Sequence, residues 1–249
     1  MNLERYKIPM GELSSSIKES IQQKIKYCEF LGYEHANKLH KEEKFSIGIC
    51  RNSRGAALVT CITEMPEVTP KMIDWWFGWH MPQSERYKLW HPRDHISSEL
   101  KVDNSNFQTN KEKYIHIDSY VTEYIGKELN NLCISLIEPE KFGFSKLDPE
   151  KETAVCAHVK DLNRNVSIGS LTHLVTKTSN GSVMQSSFWL GMNPQHSNSF
   201  INFIIKPIIN MRIIKLILLP DQLTYDLLKH CAEEMSHLAK FLPHLYNDV

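Results

Sequence analysis

The sequence has no surplus of charge of either sign, because 29 Lys and Arg balance 29 Asp and Glu over 249 residues. A nucleic-acid binder needs a basic excess to displace phosphate counterions, so that class is excluded. CxxC spacing is also missing, and the six cysteines stand scattered at 28, 50, 61, 133, 156 and 231. This scatter predicts neither a disulfide framework nor a zinc ribbon; reduced, mostly buried thiols in a cytoplasmic protein are expected. The N-terminus, MNLERYKIPMGELSSS, lacks the apolar region of a secretory signal. No apolar run is long and clean enough to span a membrane, which takes about 20 predominantly apolar residues. The nearest, Phe200 to Leu219, is interrupted by Asn202, Lys206, Pro207, Asn210, Arg212 and Lys215. It is expected to form buried strands or a core segment of a soluble protein with no membrane partner. Also lacking are a glycine-rich phosphate loop, a GxSxG elbow, a dinucleotide fingerprint and any internal repeat.

What is present is enough for one large domain, with or without a small appendage. Hydrophobic residues make up 41% and charged residues 23%, which excludes a disordered chain. Twelve histidines are available for metal binding or proton transfer. Leu13, Ile17, Ile21, Ile25 and Phe30 recur at roughly helical spacing over residues 12–42. Gly32 is a candidate end for one helix, with a second over Tyr33 to Lys44. Strands are predicted at Ser46–Cys50 and Ala56–Thr60, and Thr69-Pro70 opens a short helix to Trp79. Further strands are predicted at Tyr114–Ile125, Leu132–Ile137, Ala154–Lys160, Ser167–Lys177 and Gly181–Leu190. Asn180-Gly181 signals a type I′ hairpin between the last two. Asp221 is expected to cap a helix running to about Leu242. Strands followed by one long helix suggest an α+β fold, a curved antiparallel sheet wrapping that helix and leaving a ligand cavity between them.

Four constellations could carry chemistry. On the C-terminal helix, His230 and Glu234 are four apart and project from one face, close enough to hold one ion. A surface pair or a hydrogen-bonded core pair would give the same spacing. Residues 74–95, DWWFGWHMPQSERYKLWHPRDH, gather Trp75, Trp76, Trp79, Trp90, Tyr87, His80, His91 and His95. The segment is either core packing or the aromatic wall of a pocket that histidines enter. In the strand around Tyr120, alternation sets Glu123 on a largely apolar face with Val121, Ser119, Ile117 and Ile115. A carboxylate there needs a partner or a metal. His173 lies in a strand-like run, where a lone histidine is more often structural. Cys133 and Cys156 could be nucleophiles only beside a base.

Together, DWWFGWH, ERYKLWHPRDH, TEYIG and HCAEEMSHLAKFLPHLY resemble the 2,4-diacetylphloroglucinol hydrolase and phloretin hydrolase family, in motif order over roughly residues 45–247. The resemblance implies a helix-grip (Bet v 1-like) catalytic domain at 45–249 with an N-terminal helical appendage at 1–44 that helps form a homodimer. It implies zinc-dependent hydrolysis of the carbon–carbon bond between an acyl group and a phenolic ring. Two histidines and two glutamates hold the family's metal. Carried over, these are His230, Glu234, Glu123 and a first histidine for which His95 and His91 both fit. His95 is preferred, because Tyr87 then takes the place of a substrate-binding tyrosine. The family's further histidine matches His173, and a downstream tyrosine is replaced by Phe188 or Trp189.

On this reading a phenolic ring in its keto form resembles a β-diketone, and cleavage is of retro-Claisen type. Zn2+ would polarise the acyl carbonyl or activate a water. His173 or His91 would move the proton to the ring carbon. Tyr87 and Tyr124 would hold phenolic oxygens of a small acylated phenol, with Trp79, His80 and Phe188 around the ring. The rival reading is a non-catalytic carrier of hydrophobic ligands on the same fold, with a structural or vestigial metal site.

Overall fold

The computed structural model describes residues 2–41 and 45–249. Nine strands form one sheet in the order β1-β2-β3-β9-β8-β7-β6-β5-β4. In chain order they are β1 (Lys26–Tyr27), β2 (Gly48–Arg51), β3 (Ala57–Pro66), β4 (His95–Leu100), β5 (Asp118–Ile125), β6 (Glu128–Ile137), β7 (Glu152–Asp161), β8 (Val166–Thr178) and β9 (Gly181–His196). All neighbouring pairs are antiparallel except β1 with β2. The helices are α1 (Ser15–Gln22), α2 (Ala36–Lys41), α3 (Pro70–His80), α4 (Ser84–Trp90), α5 (Ser199–Ile209), α6 (Arg212–Leu218) and α7 (Asp221–Asp248).

The long helix α7 touches β2 and β3 near one edge of the sheet and β5 near the other. A sheet that meets one helix at both ends must curve around it, so the architecture is the α+β helix grip. The sequence makes this possible because Leu228, Cys231, Ala232, Met235, Leu238, Leu242 and Leu245 repeat along one stripe of α7 and are all fully buried. Burying each large apolar side chain contributes about 1.5–3 kcal/mol. Pro243 lies within α7, which nonetheless continues to Asp248. Helix α3 starts as expected, with Thr69 Oγ1 accepting from the Met72 amide at 3.3 Å and proline at the first helical position.

Several expectations are corrected. The first predicted helix, from residue 12 to about Gly32, is cut short: α1 ends at Gln22, and Lys26–Tyr27 joins the sheet edge beside β2. That pairing brings Cys28 to Cys50, with Cα atoms 6.1 Å apart, and the two form a disulfide. The expectation of six reduced thiols therefore holds only for Cys61, Cys133, Cys156 and Cys231, which are free and buried. The second N-terminal helix is α2, and its expected end at Lys44 lies outside the described residues.

Residues 114–117 precede the strand instead of belonging to it; the chain turns at His116, whose φ is +64°. The hairpin after β8 has Ser179-Asn180 at its centre, with Thr178 paired to Gly181. Neither central residue has positive φ, and Gly181, at +135°, opens β9 instead. So the hairpin forms, but not as a type I′ turn on Asn180-Gly181. Asp221 is the first residue of α7 and not its cap; Pro220 holds that position, and Asp221 pairs with the buried Arg51 at 2.7 Å.

The largest correction concerns Phe200–Leu219. It forms neither buried strands nor core; it forms α5 and α6, which lie outside the sheet with most of their apolar side chains exposed. No helix among the described residues is long and apolar enough to cross a membrane.

Candidate metal centre

The site lies where α7, α4 and the β4–β5 pair converge. His95 opens β4 and pairs directly with Glu123 on β5. Directly opposed residues of an antiparallel pair share a face, so both side chains point inward. Register shifts between His95 and Ser97, and this bulge keeps both His95 and Ser98 buried although their spacing is odd. Strand alternation buries Glu123 with Val121 and Ser119 and turns Tyr124 outward. His230 and Glu234 face this pair from one stripe of α7.

Both imidazoles are oriented alike. His95 Nδ1 is 3.0 Å from the Tyr87 carbonyl, and His230 Nδ1 is 3.3 Å from Asp94 Oδ2. Both Nε2 atoms are turned toward carboxylates, and with hydrogens kept on both Nδ1 atoms a bound cation would meet two Nε2 lone pairs. His95 Nε2 is 3.7 Å from Glu123 and 3.6 Å from Glu234, and His230 Nε2 is 3.9 Å from Glu234. His95 Nε2 is buried and has no hydrogen-bond partner among the described residues. The phenol of Tyr87 donates to Glu123, while its ring stacks on His95 with centroids 3.8 Å apart.

The electrostatics follow from burying two carboxylates side by side. Burial, with Glu123 adding to it, pushes Glu234 up to about 8. Burial works to lower His230, but Asp94, Glu234 and Glu123 outweigh it and raise it to about 9. Burial holds His95 well below its ordinary value, with His230 adding to the shift. Burial, then Glu123, pushes the Tyr87 phenol well above its own. A cation among these four side chains would satisfy the orphaned imidazole nitrogen and neutralise the paired carboxylates. Two nitrogens and two carboxylates are a donor set suited to zinc, so the residues fit such an ion.

His91 occupies a second, adjoining cluster. Its Nε2 lies 3.4 Å from Asp94 and 3.5 Å from Glu233, which in turn pairs with Arg93 at 2.8 Å. Its ring stacks on His230 with centroids 4.6 Å apart. Two overlapping groups can thus be drawn, His95–Glu123–His230 and His91–Asp94–His230. Sequence reasoning missed Asp94 and Glu233. The former lies beside His95 in the HPRDH run and the latter beside Glu234, so position next to a candidate ligand was the available signal.

Above the centre is a cavity lined by Phe77, His80, Tyr87, Trp90, His173 and Phe188, with Glu123, His230 and Glu234 at its base. His173 is held by Ser186, its pairing partner across β8–β9, at 2.8 Å, and burial lowers it to about 3. His80 is bound to the Trp76 carbonyl at 2.8 Å and burial likewise lowers it to about 3. Two expected substrate contacts are not brought to the cavity. Tyr124 sits on the outer face of β5, one residue out of phase with Glu123. Trp79 projects from the outer side of α3, stacked on Trp75 and beneath Arg86. Nor does His91 line it. Burial raises the Cys133 thiol and takes Cys156 to about 12, so neither is an activated nucleophile.

The chain is similar in sequence to known hydrolases. A family model described as the DAPG hydrolase PhiG domain matches residues 32–247. Phloretin hydrolase from Eubacterium ramulus is 29% identical over 225 residues, spanning 86% of this chain and 77% of that protein. 2,4-Diacetylphloroglucinol hydrolase from Pseudomonas protegens is 27% identical over 194 residues, 74% of this chain and 62% of its own length. Among solved structures, a START superfamily protein from Mycobacterium smegmatis aligns over 74% of this chain and 98% of its own. Its identity is 8% and the TM-score 0.41.

Proposed function

The chain belongs to the DAPG hydrolase PhiG domain family, and on that premise we propose that it hydrolyses the carbon–carbon bond between an acyl group and a phloroglucinol-type ring. The observation that carries this reading is the convergence of His95 Nε2 and His230 Nε2 with Glu123 and Glu234 at the base of an aromatic-lined cavity. These four residues would hold zinc. When bound, the ion would supply Lewis acidity toward the acyl carbonyl or toward water.

The remaining roles belong to the chain itself. Water contributes its hydroxyl to the acyl carbon and its proton to the ring carbon, leaving a carboxylic acid and the deacylated phenol. His173 is neutral at rest, because burial holds it near 3. An imidazole held that low is a poor base, so its proposed role is to position the attacking water by hydrogen bond, and the proton delivered to the ring carbon is the water's own. Tyr87, anchored on Glu123, offers its oxygen to a phenolic group of the substrate. Phe77, Trp90 and Phe188 exclude bulk water, and His80 closes the wall with one nitrogen satisfied by Trp76. The homodimer and the division at residue 44 implied by family resemblance belong to the same proposal, as does the cytoplasmic location expected from the scattered cysteines.

The test is metal analysis of the purified protein together with cleavage of acylated phloroglucinols and dihydrochalcones, with and without chelator. Stoichiometric zinc and chelator-sensitive cleavage are expected. A folded protein with no zinc and no cleavage would leave the carrier reading in its place.

A further inference from the structure

The α5–α6 hairpin presents a large apolar surface that nothing among the described residues covers. Phe203 is 81% exposed, Phe200 74%, Ile217 67% and Ile213 61%, with Ile208 and Met211 between them. The other exposed large apolar side chains are dispersed along the sequence, as on any folded chain. A contiguous patch is different, because it marks a surface that another phase or molecule covers.

Charge identifies what covers it. The segment from Ser199 to Pro220 contains no acidic residue, although the chain as a whole is neutral. Lys206 and Arg212 are exposed on the two helices. Arg212 also packs against Gly55, which brings the exposed Arg54 to the same rim. None of these three cations has a carboxylate within ion-pair distance among the described residues, unlike Arg5, Arg51, Arg93 and Arg164. Lys215, by contrast, is buried, its Nζ 3.5 Å from the Met192 carbonyl, so it tethers α6 to the sheet.

We infer that the α5–α6 face docks on an anionic lipid membrane. Phenylalanine and isoleucine on one side of short helices, flanked by unpaired cations, is the pattern of helices that lie in the headgroup layer. A second copy of the chain fits less well, since face-to-face apposition would set Lys206 and Arg212 against each other with no acid on α5 or α6 of either copy. The interruptions that exclude a membrane span do not bear on an interfacial helix, which needs an apolar face and not an apolar length. Only Leu219 and Pro220 separate α6 from α7, so docking would tie the helix that carries His230 and Glu234 to the bilayer surface. The inference does not depend on the proposed hydrolysis.

The experiment is co-sedimentation of the full chain with vesicles of phosphatidylcholine alone or mixed with phosphatidylglycerol. Binding to the anionic vesicles is expected, weakening as salt is raised. Phe203→Ser with Ile217→Ser should lower the partition coefficient by about tenfold or more. Lys206→Glu with Arg212→Glu should abolish the preference for phosphatidylglycerol, and if the serine pair melts early this charge pair carries the test alone. Absence of binding to either vesicle, or binding that neither pair changes, overturns the inference. So does a dimer that the serine pair dissociates in a protein that ignores vesicles, since a second copy then covers the face.

Discussion

His230 lies between two carboxylates, with Nδ1 3.3 Å from Asp94 Oδ2 and Nε2 3.9 Å from Glu234 Oε2. The first contact thus fixes a proton on Nδ1, and the second aims Nε2 to where a bound ion would take its lone pair. Carboxylate–imidazole pairs of this kind set the orientation and basicity of a metal-ligating histidine.

Asp94→Asn is therefore expected to weaken zinc binding by about 10–100-fold without unfolding the protein. Competition against a chromophoric chelator measures this directly. Unchanged affinity would mean that Asp94 does not orient His230.

Glu234→Gln should act with opposite signs on two properties. Burial, then Glu123, raises Glu234 to about 8, so at neutral pH the metal-free protein must protonate it on folding, a cost that Gln does not carry. In chelator the variant should melt higher by about 2–4 °C, the shift that about 1 kcal/mol produces in a chain of this size. Zinc affinity and cleavage should both fall. A variant that melts lower in chelator would show that the two carboxylates are not in conflict.

Tyr87→Phe keeps the stack on His95 and removes the donor to Glu123. Leaving a buried carboxylate without that donor should cost about 1–3 kcal/mol in chelator. The cost should shrink when zinc is present, because the ion takes over Glu123. Denaturant unfolding with and without zinc distinguishes this from a loss that zinc leaves unchanged.

His173 makes a pH prediction. Its folded value is near 3 while an unfolded histidine titrates at about 6.5, so between these values only the unfolded chain takes up the proton. Stability must fall as pH drops through that window, by about 2 kcal/mol at pH 5 from this residue. His173→Gln removes the contribution. Thermal melts at pH 7 and pH 5 should show the variant losing less than the unmodified protein, and equal losses would contradict the buried neutral imidazole.

Much of the centre was legible because it rests on short-range periodicity. The four-residue spacing of His230 and Glu234 puts them on one helix stripe, and period-two alternation puts Glu123 inward with Val121. The same alternation, followed strictly, turns Tyr124 away from the cavity. Its expected role came from family resemblance and not from the residue pattern. The choice between His91 and His95 was not legible. Both lie near the junction of α4 and β4, and their environments depend on a bulge that no local pattern announces.

Sequence alone determined the periodic elements and the chemistry they carry: a long helix with a buried stripe, a series of strands, and an imidazole–carboxylate pair on α7. These depend on backbone periods that act within a few residues. Only the tertiary structure decided which chemistry meets. The β4 bulge aims His95 at Glu123, the approach of α7 brings Glu234 to both, and β1 pairing beside β2 joins Cys28 to Cys50. It also decided the fate of Phe200–Leu219, whose composition suits a core as well as an uncovered face. Hydrophobicity favours burial, but the partner that provides it is set by where the rest of the chain leaves room.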